Sequence, residues 1–249
     1  MKIAVITPCH QEPDDWLQRC IDSVAAQTHS CTQILVGDGV RRQVAQTDSL
    51  IHLSLPRGVA DFGDTPRAVG GLYAAGLGFD AVTYLDADNW LHRTHVQSLI
   101  EAAQAARAPI ATCRREFRHF IDGSFLAECA TSDGEQFCDT SCMLLTRPAF
   151  RLLSVWALMD PAFHVLDDRV MWNAMRKSGL ARAHTGCATV AYRASHAGVY
   201  RDLGLIAPAG TKTFTGVSGA VKAWRERGLP DLKLRWNYRR TPSNPDRAW

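Results

Sequence analysis

Apolar residues fall along this chain in short continuous runs that alternate with helical spacings. Residues 2–6, Lys2-Ile3-Ala4-Val5-Ile6, read as a first strand of the kind buried in a parallel sheet, stopped by Pro8. Pro13 sits where a helix starts, with Asp14 and Asp15 at its positive end. Leu17, Cys20, Ile21, Val24 and Ala25 then recur at i, i+3, i+4, i+7 and i+8, which predicts an inward face. Ile34-Leu35-Val36 predicts a second strand ending in Gly37-Asp38-Gly39, a tight turn where backbone can approach a ligand closely. A third strand is expected over 50–55. Pro66 then opens a helix with Ala68, Val69, Leu72 and Ala75 inward, closed by Gly76 and Gly78. The run 81–85 is a strand, and 94–106 a helix facing inward through Val96, Leu99, Ile100 and Ala103. This alternation through residue 113 predicts an α/β fold with a mostly parallel central sheet flanked by helices.

The second half is less regular. Residues 117–121 and 125–130 predict a hairpin across Asp122-Gly123. Residues 140–146 read as a strand, and Pro148 opens a helix containing Phe150, Leu153 and Ala157. Asp167-Asp168 begins another helix that Gly179 closes, and 187–192 is a late strand. No internal repeat or low-complexity tract is visible.

At 249 residues, with 46% hydrophobic and 21% charged content, the chain has the composition of a soluble globular protein. No run approaches the ~18 apolar residues of a membrane span, and the N-terminus enters a strand directly, so no signal peptide is read. A cytoplasmic location, peripheral to a membrane at most, is therefore expected. The eight cysteines are scattered through apparent elements and are expected to be reduced. Cys138-x3-Cys142 leaves a zinc site open, although no matching His/Cys pair follows at ligand spacing. Net charge is +3, but from Lys222 onward eight basic residues face three acidic ones, so the tail carries the basicity. Val217, Val221 and Trp224 share a helical face, and Leu232, Leu234, Trp236 and Tyr238 alternate with polar or cationic residues. Two readings of these faces stay open: contact with anionic headgroups, or packing on the body of the protein.

The chemistry concentrates at Asp86-Ala87-Asp88. Carboxylates at i, i+2 after a strand point to one side, at the strand end where open α/β sheets bind ligands. Such a pair suits a divalent cation, which in turn holds a diphosphate.

The order of motifs resembles the family 2 glycosyltransferases, nucleotide-sugar-dependent enzymes of the GT-A fold. The pieces that carry it are Ile3-Ala4-Val5-Ile6-Thr7-Pro8, Ile21-Asp22-Ser23-Val24 with Gln27-Thr28, and Ile34 to Gly39. They continue with Pro66-Arg67-Ala68, Leu85-Asp86-Ala87-Asp88-Asn89, and Asp167-Asp168 ahead of Trp172. Together they span about residues 1–200. The chain departs from the pattern at Cys9-His10, at Gly37-Asp38 and at Asp167, where the family often has aromatic-Asn, Asp-Asp and Glu.

The resemblance implies a catalytic domain over 1–212, with a nucleotide-binding half (1–113) and an acceptor-side half (114–212), followed by a basic C-terminal extension (213–249). It implies inverting transfer of a sugar from a nucleotide-diphosphate donor, a UDP-sugar first among these, to a hydroxyl of a saccharide, lipid-linked or other acceptor. No nucleic-acid partner is expected. Thr7, Pro8, Asp38, Arg67, Asp86 and Ala87 would bind the nucleotide sugar. Asp88 and His196 would hold Mn²⁺ or Mg²⁺, and Asp168 would be the general base. Each has a plainer alternative: a turn aspartate at Asp38, a strand-ending Thr7, a surface arginine at Arg67, a helix N-terminus at Asp167-Asp168, a structural His196. A sugar-phosphate nucleotidylyltransferase is a rival, but the 7–12 loop has neither Gly nor Lys/Arg for phosphate. A non-catalytic nucleotide-sugar-binding module is the other.

Overall fold

The computed structural model describes residues 1–44, 47–213 and 215–227. Strands β1 (Ile3–Cys9), β2 (Thr32–Gly37), β3 (Leu50–Ser54) and β4 (Ala81–Tyr84) lie in the order β3-β2-β1-β4, all parallel. Buried on both faces, β1, β2 and β4 are the continuous apolar runs of the sequence. Helix α1 (Asp14–Ala25) joins β1 to β2, α2 (Asp64–Gly76) joins β3 to β4, and α3 (His95–Ala105) follows the short β5 (Trp90–Leu91). Leu17, Cys20 and Val24 of α1, and Val96, Leu99, Ile100 and Ala103 of α3, are buried as their spacing predicts.

The expected α/β architecture is present, but the second half of the sheet is mixed. Strands β6 (Ile110–Arg118), β7 (Phe125–Glu128), β8 (Met143–Thr146) and β9 (Arg182–Arg193) extend the order to β3-β2-β1-β4-β8-β6-β9-β5, with β7 on β6. Here only β6–β9 is parallel. The 125–130 arm of the predicted hairpin is found as β7, whereas β6 begins seven residues earlier than expected. Residues 140–142 form a 3-10 turn, not strand, because Asp139 accepts a hydrogen bond from Ser141 N (3.0 Å) and closes it. The helix expected from Pro148 is a 3-10 segment, Arg147–Leu153, followed by α4 (Ser154–Ala157). Strand β9 starts five residues before the predicted 187; its first part, with Arg182, His184 and Thr185, lacks the apolar signature.

Helix α2 corrects the sequence reading most usefully. It begins at Asp64, with Pro66 inside its first turn, where a missing N–H is harmless. Its buried face is Pro66, Arg67, Ala68, Gly70, Gly71 and Ala74, whereas Leu72 is 51% exposed. The reason is close packing: a Cβ on Gly70 would lie 2.5 Å from Ile6 Cγ2 and 3.1 Å from Val36 Cγ2. Gly70 lets the helix settle on β1 and β2, Gly71 admits Leu153, and Arg67 on the same face is buried.

The next elements are a 3-10 segment, Pro161–Leu166, then α5 (Asp167–Lys177), α6 (Ala197–Asp202) and α7 (Val217–Arg227). Of the α7 face left open between headgroups and the body of the protein, Trp224 meets the Phe163 ring edge-on at 5.6 Å, and Val217 and Val221 line a cleft. The alternating stretch 232–239 lies outside the described residues. Among the described residues no single helix is long and apolar enough to cross a membrane.

Gly70→Ala is expected to destabilise the fold by ~1–3 kcal/mol through overpacking, against the usual gain for Gly→Ala in a helix. Urea denaturation measures it; an unchanged or raised midpoint would show that the close approach is not limiting.

Candidate functional site

With β2-β1-β4 wound outward from β1, the strand order reverses beside β1, and ligands of such sheets bind in the crevice this opens at the carboxyl ends. A cleft of ≈ 1760 Å³ lies there, lined by Pro8, Asp38, Arg67, Asp86, Ala87, Asp88, Asp168 and His196 among others. Small-ligand pockets reach roughly 1,000 Å³, so the cleft has room for more than one small molecule. Eight of the nine residues expected at the site therefore share one cleft. Thr7 does not: it is fully buried, and its hydroxyl accepts from Gln33 Nε2 (2.9 Å). Strand alternation turns Thr7 into the core and leaves the next residue, Pro8, on the cleft.

Asp38 is more than a turn former. Its two carboxylate oxygens accept from Val59 N (2.7 Å) and Ala60 N (3.0 Å). They hold a loop in which Ala60 (φ 56°), Phe62 (φ 59°) and Gly63 (φ 92°) are all left-handed. Non-glycine residues in that region cost on the order of 1–3 kcal/mol each, and such strain gathers at ligand-binding loops. Gly39 makes the approach possible: a Cβ there would stand 2.1 Å from Gly58 N.

Arg67 is the hub. It is 4% exposed, which excludes the surface-arginine alternative. Its Nη2 donates to Asp86 (2.8 Å), and its Nη1 to Asp167 (2.8 Å) and the Phe62 carbonyl (3.0 Å), with Asp64 at 3.5 Å. The guanidinium also lies over the Trp156 ring (5.2 Å). Burial opposes its charge, but Asp86, Asp167 and Asp64 outweigh burial and raise its pKa. Burial lifts the Asp167 carboxyl well above the usual range despite Arg67. Asp167 also accepts from Asp168 N (2.6 Å), tying the backbone of the expected base to the hub. Asp168 itself lines the cleft.

Asp88 is half-buried, and burial, then the Asp86 carboxylate, push its pKa up to about 7. Its loop is set by Arg193, which donates to the Asp88 carbonyl (3.2 Å) and the Phe120 carbonyl (2.9 Å) and lies over Trp16 (4.2 Å). Asn89 completes this by accepting from Arg193 N (2.9 Å). His196 precedes α6 and pairs as a β-bridge with Lys212. Burial, Lys212 and Arg115 lower its pKa to about 4, so the ring is neutral at pH 7.

The far wall holds residues that the sequence did not single out. Arg115 pairs with Asp139 and lies over Tyr192 (4.4 Å), Phe137 (5.1 Å) and Phe117 (5.2 Å). Burial raises Asp139 to about 6 although Arg115 opposes the shift. His164 donates or accepts through Nδ1 at 2.6 Å from the fully buried Asp64. Neither pair has a local spacing signature, since the partners come from distant elements.

Among the described residues no three His, Cys, Asp or Glu side chains are grouped to hold a metal. Cys138 and Cys142 are buried thiols held well above their ordinary pKa by burial, so they give zinc no ready thiolates. A divalent cation in the cleft would have to take most of its ligands from a bound diphosphate. Asp88, repelled by Asp86 and Glu12, and the neutral His196 fit that partial role.

No protein-family model matches the chain, and no curated protein sequence does. Solved structures share its fold. S. aureus TarS 1–349 superposes with a TM-score of 0.62 at 13% identity, covering 81% of this chain and 63% of TarS 1–349. The same protein in complex with UDP gives 0.59 at 13% identity over the same shares. Its complex with UDP-GlcNAc gives 0.59 at 13% identity, covering 76% of this chain and 58% of that one. The chain thus spans less than two thirds of TarS 1–349, and the likeness establishes that the two share an α/β fold.

Arg67→Met is expected to destabilise the protein by ~3–5 kcal/mol at pH 7.5, because it strands buried carboxylates. Without the cation, Asp64 and Asp167 titrate further above their unfolded values near ~3.9, so the stability lost by the variant returns as pH falls. Urea denaturation at pH 7.5 and 5.5 checks both; a loss that is small, or larger at pH 5.5, would contradict the hub.

Proposed function

We propose that this protein is a glycosyltransferase that moves a sugar from a nucleotide-diphosphate donor, UDP-linked first among candidates, to an acceptor hydroxyl with inversion. One observation carries the reading: a single buried arginine joins Asp86, at the end of β4, to Asp167, the neighbour of Asp168. Asp86 and Asp168 thereby stand around one cleft, which supports the reading on a fold shared with TarS structures that contain UDP and UDP-GlcNAc.

In this reading Pro8, Ala87 and the Asp38-held loop line the nucleotide end, with Asp86 beside the ribose. Arg67 acts by orienting Asp86 and Asp167, since both its Nη atoms are engaged. Asp88, with His196, would hold Mn²⁺ or Mg²⁺ at the diphosphate end. When bound, such an ion supplies charge neutralisation for the departing diphosphate. Asp168 accepts the proton of the acceptor hydroxyl as its oxygen bonds to the anomeric carbon and the bond to the diphosphate oxygen breaks. Alignment of carboxylate, hydroxyl and anomeric carbon by rigid elements supplies the orientation contribution. The acceptor belongs to the wall of Arg115, Phe117, Phe137 and Tyr192 on the far side of the cleft.

A panel of UDP-, GDP- and dTDP-sugars tests this through nucleotide release and thermal stabilisation. A donor at 100 times its Kd should add ~2.7 kcal/mol. Asp168→Asn is expected to lower kcat by roughly 10²–10⁴ with UDP binding nearly intact. Near-normal turnover in that variant rules out the base. Asp88→Ala is expected to lose cation-dependent UDP binding, and excess EDTA to abolish activity; full turnover in EDTA would exclude the metal.

A further inference from the structure

Outside the roles assigned above, one cleft-facing side chain is held as firmly as a ligand-contacting group needs to be. His164 stands on the 3-10 segment Pro161–Leu166, immediately before Asp167 and Asp168. Three contacts fix that segment. Asp160 caps it by accepting from Ala162 N (2.9 Å), the fully buried Phe163 packs against Trp224, and Leu166 is buried. The ring of His164 lines the cleft, yet its Nδ1 points into the protein toward Asp64, whose carboxylate has no solvent exposure. The side chain is 20% exposed, and with Nδ1 turned inward the edge that carries Nε2 is the one left for the cleft.

A buried carboxylate spent on aiming an imidazole is costly for a purely structural surface residue. The arrangement is one in which a second group locks the tautomer and direction of the group that meets a ligand. We infer that His164 is a specificity-determining residue whose Nε2 hydrogen-bonds a hydroxyl of the donor sugar. The inference rests on the glycosyl-transfer reading, which puts the sugar between Asp88 and Asp168. The same connection that carries Asp168 carries His164, four residues earlier, and Asp64 touches the Arg67 that holds Asp86. A hydroxyl suits this position in particular because it both donates and accepts. The bond therefore forms with the ring neutral or charged. Sites built to bond a hydroxyl discriminate strongly against analogues that lack it.

The test uses two substitutions and two ligands on the full chain. His164→Asn keeps an amide where Nδ1 was, able to donate to Asp64, and removes the atom facing the cleft. His164→Gln serves as the converse. Affinities for UDP and for UDP-GlcNAc are measured by calorimetry with Mn²⁺ present, and thermal melts monitor the fold. For His164→Asn the expected result is UDP-GlcNAc binding about tenfold weaker, as one hydrogen bond to the sugar contributes, with UDP affinity and melting temperature unchanged. One monodeoxy analogue of UDP-GlcNAc is expected to bind wild type and His164→Asn equally, and His164→Gln to restore part of the lost affinity. Equal weakening of UDP and UDP-GlcNAc, or no change in either, overturns the assignment. So does a uniform loss across all monodeoxy analogues. If wild type binds a GDP- or dTDP-sugar in place of UDP-GlcNAc, the same comparison is made with that donor and its nucleotide; if it binds none of the UDP-, GDP- or dTDP-sugars, the glycosyl-transfer reading itself fails and takes this one with it.

Discussion

The arrangement depends on one buried cation with three carboxylate neighbours. Removing a guanidinium from water is expensive, and an isolated one would not be tolerated where Arg67 sits. Equally, burial already lifts the Asp64 and Asp167 carboxyls, and Arg67 is what opposes that rise. Each charge makes the others tenable, and the geometry is therefore specific. Asp64 and Arg67 belong to α2, Asp86 to the end of β4, and Asp167 to the start of α5. A single side chain thus fixes the relative positions of three elements distant in sequence. A hub of this kind is better understood as specifying one arrangement than as adding net stability, because the desolvation cost is comparable to the attraction.

Around that hub the two halves of the sheet do different work. The parallel half supplies a rigid floor: buried strands, a helix seated on them through Gly70, and a crevice at the strand ends. The Asp38 carboxylate then holds the left-handed loop through Val59 and Ala60 against its own strain. The mixed half supplies the opposite wall, where Arg115 is sandwiched among aromatic rings and paired with Asp139. Floor and wall are joined through the connections that carry Asp88, His164 and Asp168, the residues nearest to the proposed chemistry.

How much of this was legible in the sequence follows from what each kind of signal can carry. Buried parallel strands announce themselves as apolar runs, so β1, β2 and β4 were readable, and with them the strand-end positions of Asp38, Asp86 and Asp88. Helix α3 was readable from its period. Helix α2 was readable in its place but only partly in its inward face, because that face is built of Gly, Ala, Pro and a charged Arg, while Leu72 points outward. Hydrophobic periodicity cannot report a face chosen by backbone proximity and a buried ion pair. Thr7 was misplaced by one step of strand alternation. His164 with Asp64, and Arg115 with Asp139, were invisible because each partner lies far from the other along the chain and neither forms a motif alone. Early β9 was missed for a related reason: its pairing with β6 does not require apolar side chains on a half-exposed edge.

The central claim is that Asp168 promotes direct attack of a hydroxyl on the anomeric carbon while the diphosphate leaves from the opposite face. The most direct measurement is the anomeric configuration of the product, read by proton NMR as it first forms from an α-linked UDP-sugar. The account predicts a β-linked product as the initial and sole anomer. An α-linked initial product would contradict single displacement assisted by Asp168, and the absence of any transferred sugar would contradict glycosyl transfer altogether.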